Sequence, residues 1–215
     1  MNAPREATVK IATGFTGALF VLIVIYALDS IDRYRIAPAW LADAMVVIVA
    51  LSVCISMIVR TPLWRRVELT VLGCAVAVSL AYNALNLYSV CNKMIFHDVQ
   101  ASTLFYTALG VWINNVLNFT VLYWLMDGGG PDARRAGAKY PDFDFPASDL
   151  PDKVRPGWRP GLVDYLFLGF TTATAFSPTE AQPLTARAKL AMIAEGVISL
   201  TTVAIVGARA INLIQ

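Results

Sequence analysis

The chain has 215 residues, of which 57% are hydrophobic and only 15% are charged, and its mean hydropathy is +0.60. These values depart strongly from those of soluble domains and indicate an integral membrane protein. The lipid bilayer is therefore an expected partner. The formal net charge is +2. Because the sequence contains no basic run of the kind that binds nucleic acid, that class of partner is excluded.

The reactive side chains exclude several kinds of chemistry. The three cysteines, Cys54, Cys74 and Cys91, are far apart, so neither a disulfide framework nor a CxxC metal site is expected. His97 is the sole histidine and stands beside Asp98, which together supply too few ligands for a metal ion. The sequence therefore predicts no metal site and no cofactor.

Hydropathy predicts an all-α fold, a polytopic transmembrane helix bundle with four long spans, a short pore-like helix and a final span. An N-terminal four-helix membrane region takes residues 1–126, an extramembrane loop takes 127–162, and a C-terminal module takes 163–215. The long spans are predicted over 9–29, 41–59, 67–90 and 102–126. The first apolar run is long and lacks a convincing small-residue cleavage site, so we expect an uncleaved span rather than a signal peptide.

Side-chain amides interrupt two of the predicted spans. The third span carries Asn83 and Asn86, and the fourth carries Asn114, Asn115 and Asn118. Residues three or four apart share a helix face, and an amide in lipid needs a hydrogen-bond partner. We therefore expect these two helices to face each other or a wet cavity. The amides serve either as structural links between helices or as part of a polar permeation path.

Residues 127–162 form a connector rich in proline, glycine and charges of both signs, a composition that disfavours long helices and strands. A connector of this length is either ordered over the membrane face or flexible. Its segment Pro-Asp-Phe-Asp-Phe-Pro could dock Phe143 and Phe145 on the helix bundle. Asp142 and Asp144 lack the glycine-bounded pattern of a calcium loop, so we expect solvated carboxylates there.

The C-terminal module begins with a short helix, predicted over 163–176, that runs into a threonine-rich turn. About fourteen apolar residues are too few to cross a bilayer comfortably. The last span, predicted over 188–214, carries Glu195. An ionisable side chain inside a span is a functional candidate because its desolvation must be offset. The alternative is an interhelical hydrogen bond made by a protonated carboxyl.

Three segments follow one another in the C-terminal half: Asp-Gly-Gly-Gly-Pro-Asp-Ala-Arg-Arg at 127–135, Tyr-Pro-Asp-Phe-Asp-Phe-Pro at 140–146, and Val-Asp-Tyr-Leu-Phe-Leu-Gly-Phe-Thr-Thr-Ala-Thr-Ala-Phe-Ser-Pro-Thr-Glu at 163–180. Together with the terminal helix, this arrangement resembles a group of uncharacterised bacterial integral membrane proteins over residues 120–214. The resemblance implies a multi-pass protein of the bacterial inner (cytoplasmic) membrane.

More distantly, residues 163–214 resemble the pore-helix, filter and inner-helix unit of tetrameric potassium channels. The resemblance places Glu195 on the inner helix, and if the protein is a channel we expect Glu195 to tune cation affinity or gating. The resemblance also implies a filter-like constriction formed by Thr171, Thr172, Thr174, Ala175, Phe176 and Ser177. The two glycines expected around the aromatic residue appear here as Ala175 and Ser177, which reach positive φ less readily than glycine.

Charge placement predicts a cytoplasmic N-terminus, because loops rich in Lys and Arg stay on the cytoplasmic side. Two arrangements satisfy this rule. In the first, which we favour, the short helix crosses a locally thinned bilayer as a fifth element and the last span returns. In the second, the short helix re-enters from the cytoplasm. A pore entered from outside would place most of the seventeen basic residues outside, and the rule opposes it.

The predicted function is an ion channel or cation-permeation protein, with a monovalent cation as the ion. One short helix cannot enclose a pore, so we expect a homo-oligomer. A small transporter would share the short helix and the buried carboxylate, and a non-conducting accessory or structural protein would use the loop to recruit a partner. Enzymatic activity is not expected, because no Ser/His/Asp set is present and Gly128 to Gly130 open no nucleotide-binding unit.

Overall fold

The computed structural model describes residues 62–96, 101–135, 137, 140–148, 152–153, 158–174 and 181–212. The spans predicted over 9–29 and 41–59 lie outside the described residues. The chain divides into two compact units, residues 1–86 and 87–215.

Helices dominate the described residues. The five helices there are α1 (Pro62–Phe96), α2 (Ala101–Met126), α3 (Pro131–Arg135), α4 (Leu162–Thr174) and α5 (Ala186–Asn212). They are joined by the strands β1 (Phe143–Asp144) and β2 (Gln182–Pro183) and by the 3-10 turns Asp127–Gly129 and Pro146–Ser148. Three of the described segments are long and apolar enough to cross a membrane: Arg66–Met94, Leu104–Gly129 and Ala186–Ala208. The prediction of a helical membrane protein is confirmed at this level.

α1 begins in the first unit and ends in the second. Within the first unit, Leu72, Val76, Ser79 and Asn83 are buried, and their spacing of three or four residues marks one helix face. Asn86 is half-buried one turn further along. The two amides predicted for the third span therefore lie on or beside the buried face of α1.

α2 and α5 pack as an antiparallel pair in the second unit. Leu104, near the start of α2, packs with Ile205, near the end of α5. At the opposite end of the pair, Arg187 Nη2 donates to the Met126 carbonyl oxygen at 3.1 Å. Residue numbers therefore increase along α2 in the direction in which they decrease along α5.

Three consecutive glycines end α2 and turn the chain away from the helix axis. Gly128, Gly129 and Gly130 have φ values of 58°, 82° and 98°, a region that other L-residues adopt only at a cost. A Cβ on Gly130 would also lie 3.1 Å from the Leu125 carbonyl oxygen. The Gly130 N–H closes the turn by donating to the Asp127 carbonyl oxygen at 3.0 Å. The glycine run is thus a helix-ending turn.

The loop that follows the turn folds back over the end of α2. Phe143 and Phe145 are buried, as the docking prediction requires. The Phe143 ring lies 5.0 Å from the ring of Tyr123, and the Phe145 ring lies 5.3 Å from the ring of Tyr165, measured between centroids. β1 pairs antiparallel with β2, with Phe143 opposite Pro183. Residues 140–148 therefore form an ordered cap rather than a flexible connector.

The chain lies at the same end of α2 before α4 and again at β2, after α4. Near the start of α4, the Tyr165 hydroxyl donates to Asp127 Oδ2 at 2.5 Å. Near the end of α4, the Phe170 ring contacts the ring of Trp112, in the middle of α2, at 5.9 Å. By Gln182 the chain again lies beside Asp144, in the cap over the end of α2. α4 therefore starts beside the end of α2 to which the chain has returned by Gln182, and we call it the re-entrant helix for this course.

This geometry contradicts the arrangement that we favoured from the sequence, in which the short helix crosses the bilayer. The 13 residues of α4 rise about 20 Å, against about 30 Å for a hydrocarbon core. A crossing helix would place β2 at the opposite end of α2 from Leu162, and β2 instead pairs with β1. The crossing prediction is wrong because apolar length alone does not fix where the chain goes after a short helix.

Candidate functional site

Two clusters of polar side chains lie along the α2–α5 pair at different depths. The interior cluster consists of Asn115, Tyr123, Gly169, Glu195 and Ser199. The cap cluster consists of Asp127, Arg134, Asp142, Tyr165 and Arg187, where the loop meets the ends of α2 and α5. Glu195 lies about 13 Å along the axis of α5 from its first residue, so the interior cluster is deep in the helical region.

The Glu195 side chain is fully buried where α2 and α4 meet α5. The Tyr123 hydroxyl donates to Glu195 Oε2 at 2.5 Å. Glu195 Oε1 has no hydrogen-bond partner among the described residues, and the ion pairs of that part of the chain do not include Glu195. An interhelical hydrogen bond, the alternative expected from the sequence, is therefore present with Glu195 as its acceptor, and the other carboxyl oxygen has no donor among the described residues.

Gly169 lets the backbone of α4 approach this carboxyl closely. A Cβ at Gly169 would lie 3.1 Å from Thr120 Oγ1, 3.2 Å from the Val116 carbonyl oxygen and 3.4 Å from Glu195 Oε1. Three oxygen atoms thus surround one point on the surface of α4. Near the end of α4, the Thr172 hydroxyl interacts with the side chain of Tyr123. The re-entrant helix therefore packs directly on the Tyr123–Glu195 pair.

The amides of α2 reach α5 at one position. Asn115 Nδ2 donates to the Glu195 carbonyl oxygen at 3.0 Å and to Ser199 Oγ at 2.8 Å. Asn118 Nδ2 donates to the Asn114 carbonyl oxygen at 2.9 Å within α2. The side-chain atoms of Asn114 are buried without a partner among the described residues. The preceding span was the expected partner of these amides, and α5 is the observed partner of Asn115.

The threonines predicted to approach a filter occupy the last turn of α4. Thr171, Thr172 and Thr174 are half-buried. Each hydroxyl donates to the backbone carbonyl oxygen one turn earlier in α4, at 2.9, 2.8 and 2.8 Å respectively. These bonds use the hydroxyl protons within α4. The other predicted filter residues lie outside the described residues: Ala175, Phe176 and Ser177.

Asp142 is the centre of the cap cluster and is fully buried, so the expectation of a solvated carboxylate is wrong. Arg187 donates to both of its carboxylate oxygens, and the Thr185 hydroxyl donates to Oδ1 at 2.5 Å. The Gly128 N–H donates to Oδ2 at 3.0 Å, and the Leu184 N–H donates to the Asp142 carbonyl oxygen at 2.8 Å. One aspartate thus joins the end of α2, the loop and the start of α5.

The surroundings of Asp142 favour its charged form. Burial raises the pKa of the carboxyl, but hydrogen bonds from Arg187, Thr185 and the Gly128 N–H, together with the Arg187 charge, outweigh burial and hold the pKa below its ordinary value. Asp142 is therefore ionised at neutral pH, and the cap contains a permanent ion pair.

Asp127 is the second buried carboxylate of the cap. Its Oδ1 accepts the N–H groups of Asp142 and Phe143 at 2.7 and 3.2 Å, and its Oδ2 accepts the Tyr165 hydroxyl. Arg134 lies 4.0 Å from this carboxylate and 5.2 Å from the centre of the Tyr165 ring. The start of the re-entrant helix is therefore fixed to the end of α2 through one carboxylate.

The two clusters differ in the chemistry that they support. In the described part of the chain, no group of three His, Cys, Asp or Glu side chains could hold a metal ion. The cap pairs its carboxylates with guanidinium groups, which suits a fixed structural role. The interior cluster offers a carboxyl, a phenol and amides without a countercharge among those residues, which suits proton or cation handling. We therefore take the interior cluster as the candidate functional site.

Sequence reasoning found Glu195 and the amides but missed their partners. Tyr123 lies in an apolar run, and nothing in its sequence spacing indicates that it is a partner of Glu195. Arg187 does carry a signal, because a basic residue in the first turn of a helix opposes the helix dipole and implies a carboxylate partner. Gly169 carries another, because a glycine in an apolar helix indicates close helix contact.

Comparisons of the chain with protein-family models, with curated proteins and with solved structures find no significant match. They therefore do not bear on the resemblance to bacterial membrane proteins or to potassium channels. Function must therefore be inferred from the re-entrant helix and from the interior cluster that it covers.

Proposed function

We propose that the protein is a homo-oligomeric membrane protein that conducts monovalent cations and that α4 is its pore helix. The observation that carries the proposal is the course of the chain around α4. The helix enters from one end of α2, stops near its middle, and the chain is back at the starting end by Gln182. Re-entrant segments at membrane depth are tolerated where they are buried in protein or line a water-filled cavity.

The relative placement of α4 and α5 supports the resemblance to a potassium-channel pore unit. In such a unit, the pore helix and the inner helix begin on one side of the membrane and the filter lies between them. Here α4 and α5 both begin at the cap. Because filter carbonyl oxygens replace the hydration shell of an ion, we propose residues 175–177 as the constriction and the three threonines of α4 as its approach.

Charge placement favours entry from the cytoplasm. If the N-terminus is cytoplasmic and the first two spans cross as predicted, the 127–162 loop faces the cytoplasm. That loop contains six basic residues: Arg134, Arg135, Lys139, Lys153, Arg155 and Arg159. The proposed pore is then inverted relative to that of a potassium channel, in a protein that we place in the bacterial inner membrane.

A single half-helix cannot enclose a pathway, so conduction requires several copies of the chain around an axis. Among the described residues, α5 exposes a row of apolar side chains that a neighbouring copy or lipid could cover: Leu190, Ile193, Val197, Leu200 and Val203. Chemical cross-linking in lipid followed by native mass measurement determines the number of copies.

Flux of K⁺ and Na⁺ into proteoliposomes tests conduction. Wild-type protein is expected to admit at least one of these ions, and Thr172→Val is expected to reduce the flux because it removes a hydroxyl at the proposed approach. Thr70→Val is the matched control, since Thr70 makes the same type of backbone bond in α1. If purified wild-type protein passes no monovalent cation, the proposal fails.

Cysteine labelling in sealed vesicles tests the re-entrant course independently. Tyr140→Cys and Gln182→Cys, at exposed positions of the cap, are expected to react with an impermeant reagent from one side. Ala208→Cys, at the exposed far end of α5, is expected to react from the other side. All three are made in a chain without its native cysteines. Reaction of positions 140 and 182 from opposite sides contradicts re-entry.

A proton-coupled carrier is the second candidate function. Glu195 favours it, because a buried carboxyl with a hydroxyl partner is typical of proton relays in transporters. A carrier predicts uptake that saturates with substrate and requires a pH gradient. A channel predicts flux that follows the cation gradient in the absence of a pH gradient.

A further inference from the structure

We propose that Glu195 is an exchangeable proton site whose charge state sets how tightly α4 packs on α2 and α5. The geometry of the interior cluster supports the proton site. A role of this site in opening and closing a pore rests on the proposed function, since α4 is the proposed pore helix.

An ionised carboxylate would be poorly supported at this position. Glu195 is fully buried, accepts one described hydrogen bond, from Tyr123, and belongs to none of the ion pairs among the described residues. Desolvation of an unpaired charge is costly. By comparison, the ionised and buried carboxylate of Asp142 has three hydrogen-bond donors: a guanidinium, a hydroxyl and a backbone N–H. Glu195 therefore carries its proton at neutral pH.

The second carboxyl oxygen provides the place for that proton. Tyr123 already donates to Oε2, so the proton of the neutral acid belongs on Oε1. Oε1 has no donor among the described residues, and it lies beside Gly169 together with the Val116 carbonyl oxygen and Thr120 Oγ1, each 3.1 to 3.4 Å from the position that a Cβ there would take. The Thr120 hydroxyl already donates to the Val116 carbonyl oxygen, at 2.7 Å, and therefore supplies no proton to Oε1. A proton needs no cavity, whereas a hydrated cation would.

Tyr123 excepted, the titratable groups of the neighbouring elements are engaged elsewhere, exposed to the surroundings or distant from Glu195. On α4, Asp164 accepts the Gly161 N–H at 2.7 Å, and Tyr165 donates to Asp127. On α5, Arg187 pairs with Asp142, and Lys189 is exposed near the helix start. On the end of α1, Cys91 packs beside Ile205, about 15 Å along α5 from Glu195, and Lys93 lies in the same turn.

Ionisation of Glu195 would weaken the packing of α4. A negative Oε1 would be a buried charge with no donor among the described residues, beside the point where Gly169 brings the backbone of α4 close to it. Solvation of that charge favours separation of α4 from the α2–α5 pair. Tight packing is therefore expected at low and neutral pH and is lost as the pH rises through the titration of Glu195.

Infrared spectroscopy of the protein in lipid tests the proton site. Wild-type protein is expected to show the carbonyl stretching band of a protonated carboxyl at neutral pH, and this band is expected to disappear as the pH rises. Glu195→Gln keeps the side-chain shape and can still accept from Tyr123, so it is expected to fold without the band. Absence of the band from wild-type protein at neutral pH, or its persistence in Glu195→Gln, overturns the proposal.

Tyr123→Phe provides a second variant that retains the acid. Removing the donor to Oε2 takes away support from the charged form, so the band is expected to survive to higher pH than in wild-type protein. Tyr106→Phe, at an exposed position of α2, is the matched control and should leave the midpoint unchanged. A midpoint that Tyr123→Phe does not move contradicts the assignment of the band to Glu195.

Amide hydrogen exchange in α4 tests the coupling to packing. At a pH above the loss of the band, α4 amides of wild-type protein are expected to exchange about tenfold faster than those of Glu195→Gln. At neutral pH the two proteins should exchange equally. Because both are measured at the same pH, the intrinsic pH dependence of exchange cancels. Equal exchange at every pH refutes the coupling.

The outcomes separate this inference from the proposed function. A carboxyl band in a protein that passes no cation would leave the proton site standing and remove the channel. Cation flux through a protein without the band would leave the channel standing and remove the proton site.

Discussion

Asp142 and Glu195 are both fully buried carboxyl groups within one unit of the chain, but their surroundings differ. Asp142 has a guanidinium, a hydroxyl and a backbone N–H as donors. Glu195 has one phenol hydroxyl among the described residues. The first set of partners fixes a negative charge, whereas the second accommodates a neutral acid.

The two carboxyl groups differ in their donors because Asp142 lies at the ends of the helices and Glu195 lies within them. The cap lies where helix ends, turns and a loop bring backbone donors and arginines together, and such groups are available only where helices end. Within the helices the backbone donors are already used, so Glu195 depends on side chains from α2 and on the close approach of α4 at Gly169. The cap therefore holds the re-entrant helix in place, and the interior cluster is the part that can change state.

Removing the Asp142 carboxylate should have the largest effect on stability. Asp142→Ala leaves Arg187, Thr185 and the Gly128 N–H without their common acceptor, and we expect a loss of about 3 kcal/mol in the free energy of unfolding. Arg187 is more than half exposed, which limits the loss because water can replace its partner. Unfolding in detergent, followed by circular dichroism, measures the change.

Asp144→Asn is the matched control for this variant, because it changes a nearby acid of the same loop, in β1, at a half-buried position. It should stay within about 0.5 kcal/mol of wild-type protein. Equal losses from the two variants would mean that the cap is not organised around Asp142.

Substitution at Gly169 should have the next largest effect, and it acts on the interior cluster. Gly169→Ala places a Cβ 3.1 Å from Thr120 Oγ1 and 3.2 Å from the Val116 carbonyl oxygen. The backbone oxygen cannot rotate away, so α4 must shift, and we expect a loss of about 2 kcal/mol. Gly196→Ala, beside Glu195 but with open space around its Cβ, should be neutral or slightly stabilising. A neutral Gly169→Ala would refute the close packing.

Acidification should weaken the cap but not the interior. The pKa of Asp142 is lowered in the folded protein, so its contribution to stability is present above the ordinary carboxyl pKa of about 3.9 and is lost as the pH falls towards the folded value. Asp142→Asn imitates the protonated state and should cost about 1.5 kcal/mol at neutral pH.

Comparing unfolding at neutral pH and at about pH 3 should therefore show a smaller acid loss in Asp142→Asn than in wild-type protein. An identical acid loss in both proteins would assign the pH dependence to other carboxyl groups.

Among the described residues, the sequence predicted the three long helices, because a long apolar run can be recognised from neighbouring residues alone. Observed α1 extends beyond its predicted span of 67–90 at both ends. Observed α2 starts one residue before its predicted span, and α5 starts two residues before its own. The return of the chain after α4 could not be predicted, because it depends on the pairing of β1 with β2 across the cap. Local pattern likewise revealed Glu195, whereas its partner Tyr123 lies 72 positions away in the chain.

The smallest expected effect on stability is that of Tyr123→Phe, which tests whether Glu195 in the interior cluster is neutral. Tyr123→Phe removes the described donor to Glu195, but a neutral carboxyl has no charge that the donor must stabilise. We therefore expect a loss of about 0.6 kcal/mol, the average for a hydrogen bond between helices in a membrane. If Glu195 were ionised, Tyr123 would be its sole described donor, and the same change should cost about 2 kcal/mol. Unfolding of Tyr123→Phe in bilayer-like detergent, compared with Tyr106→Phe, thus distinguishes the two charge states without any flux measurement.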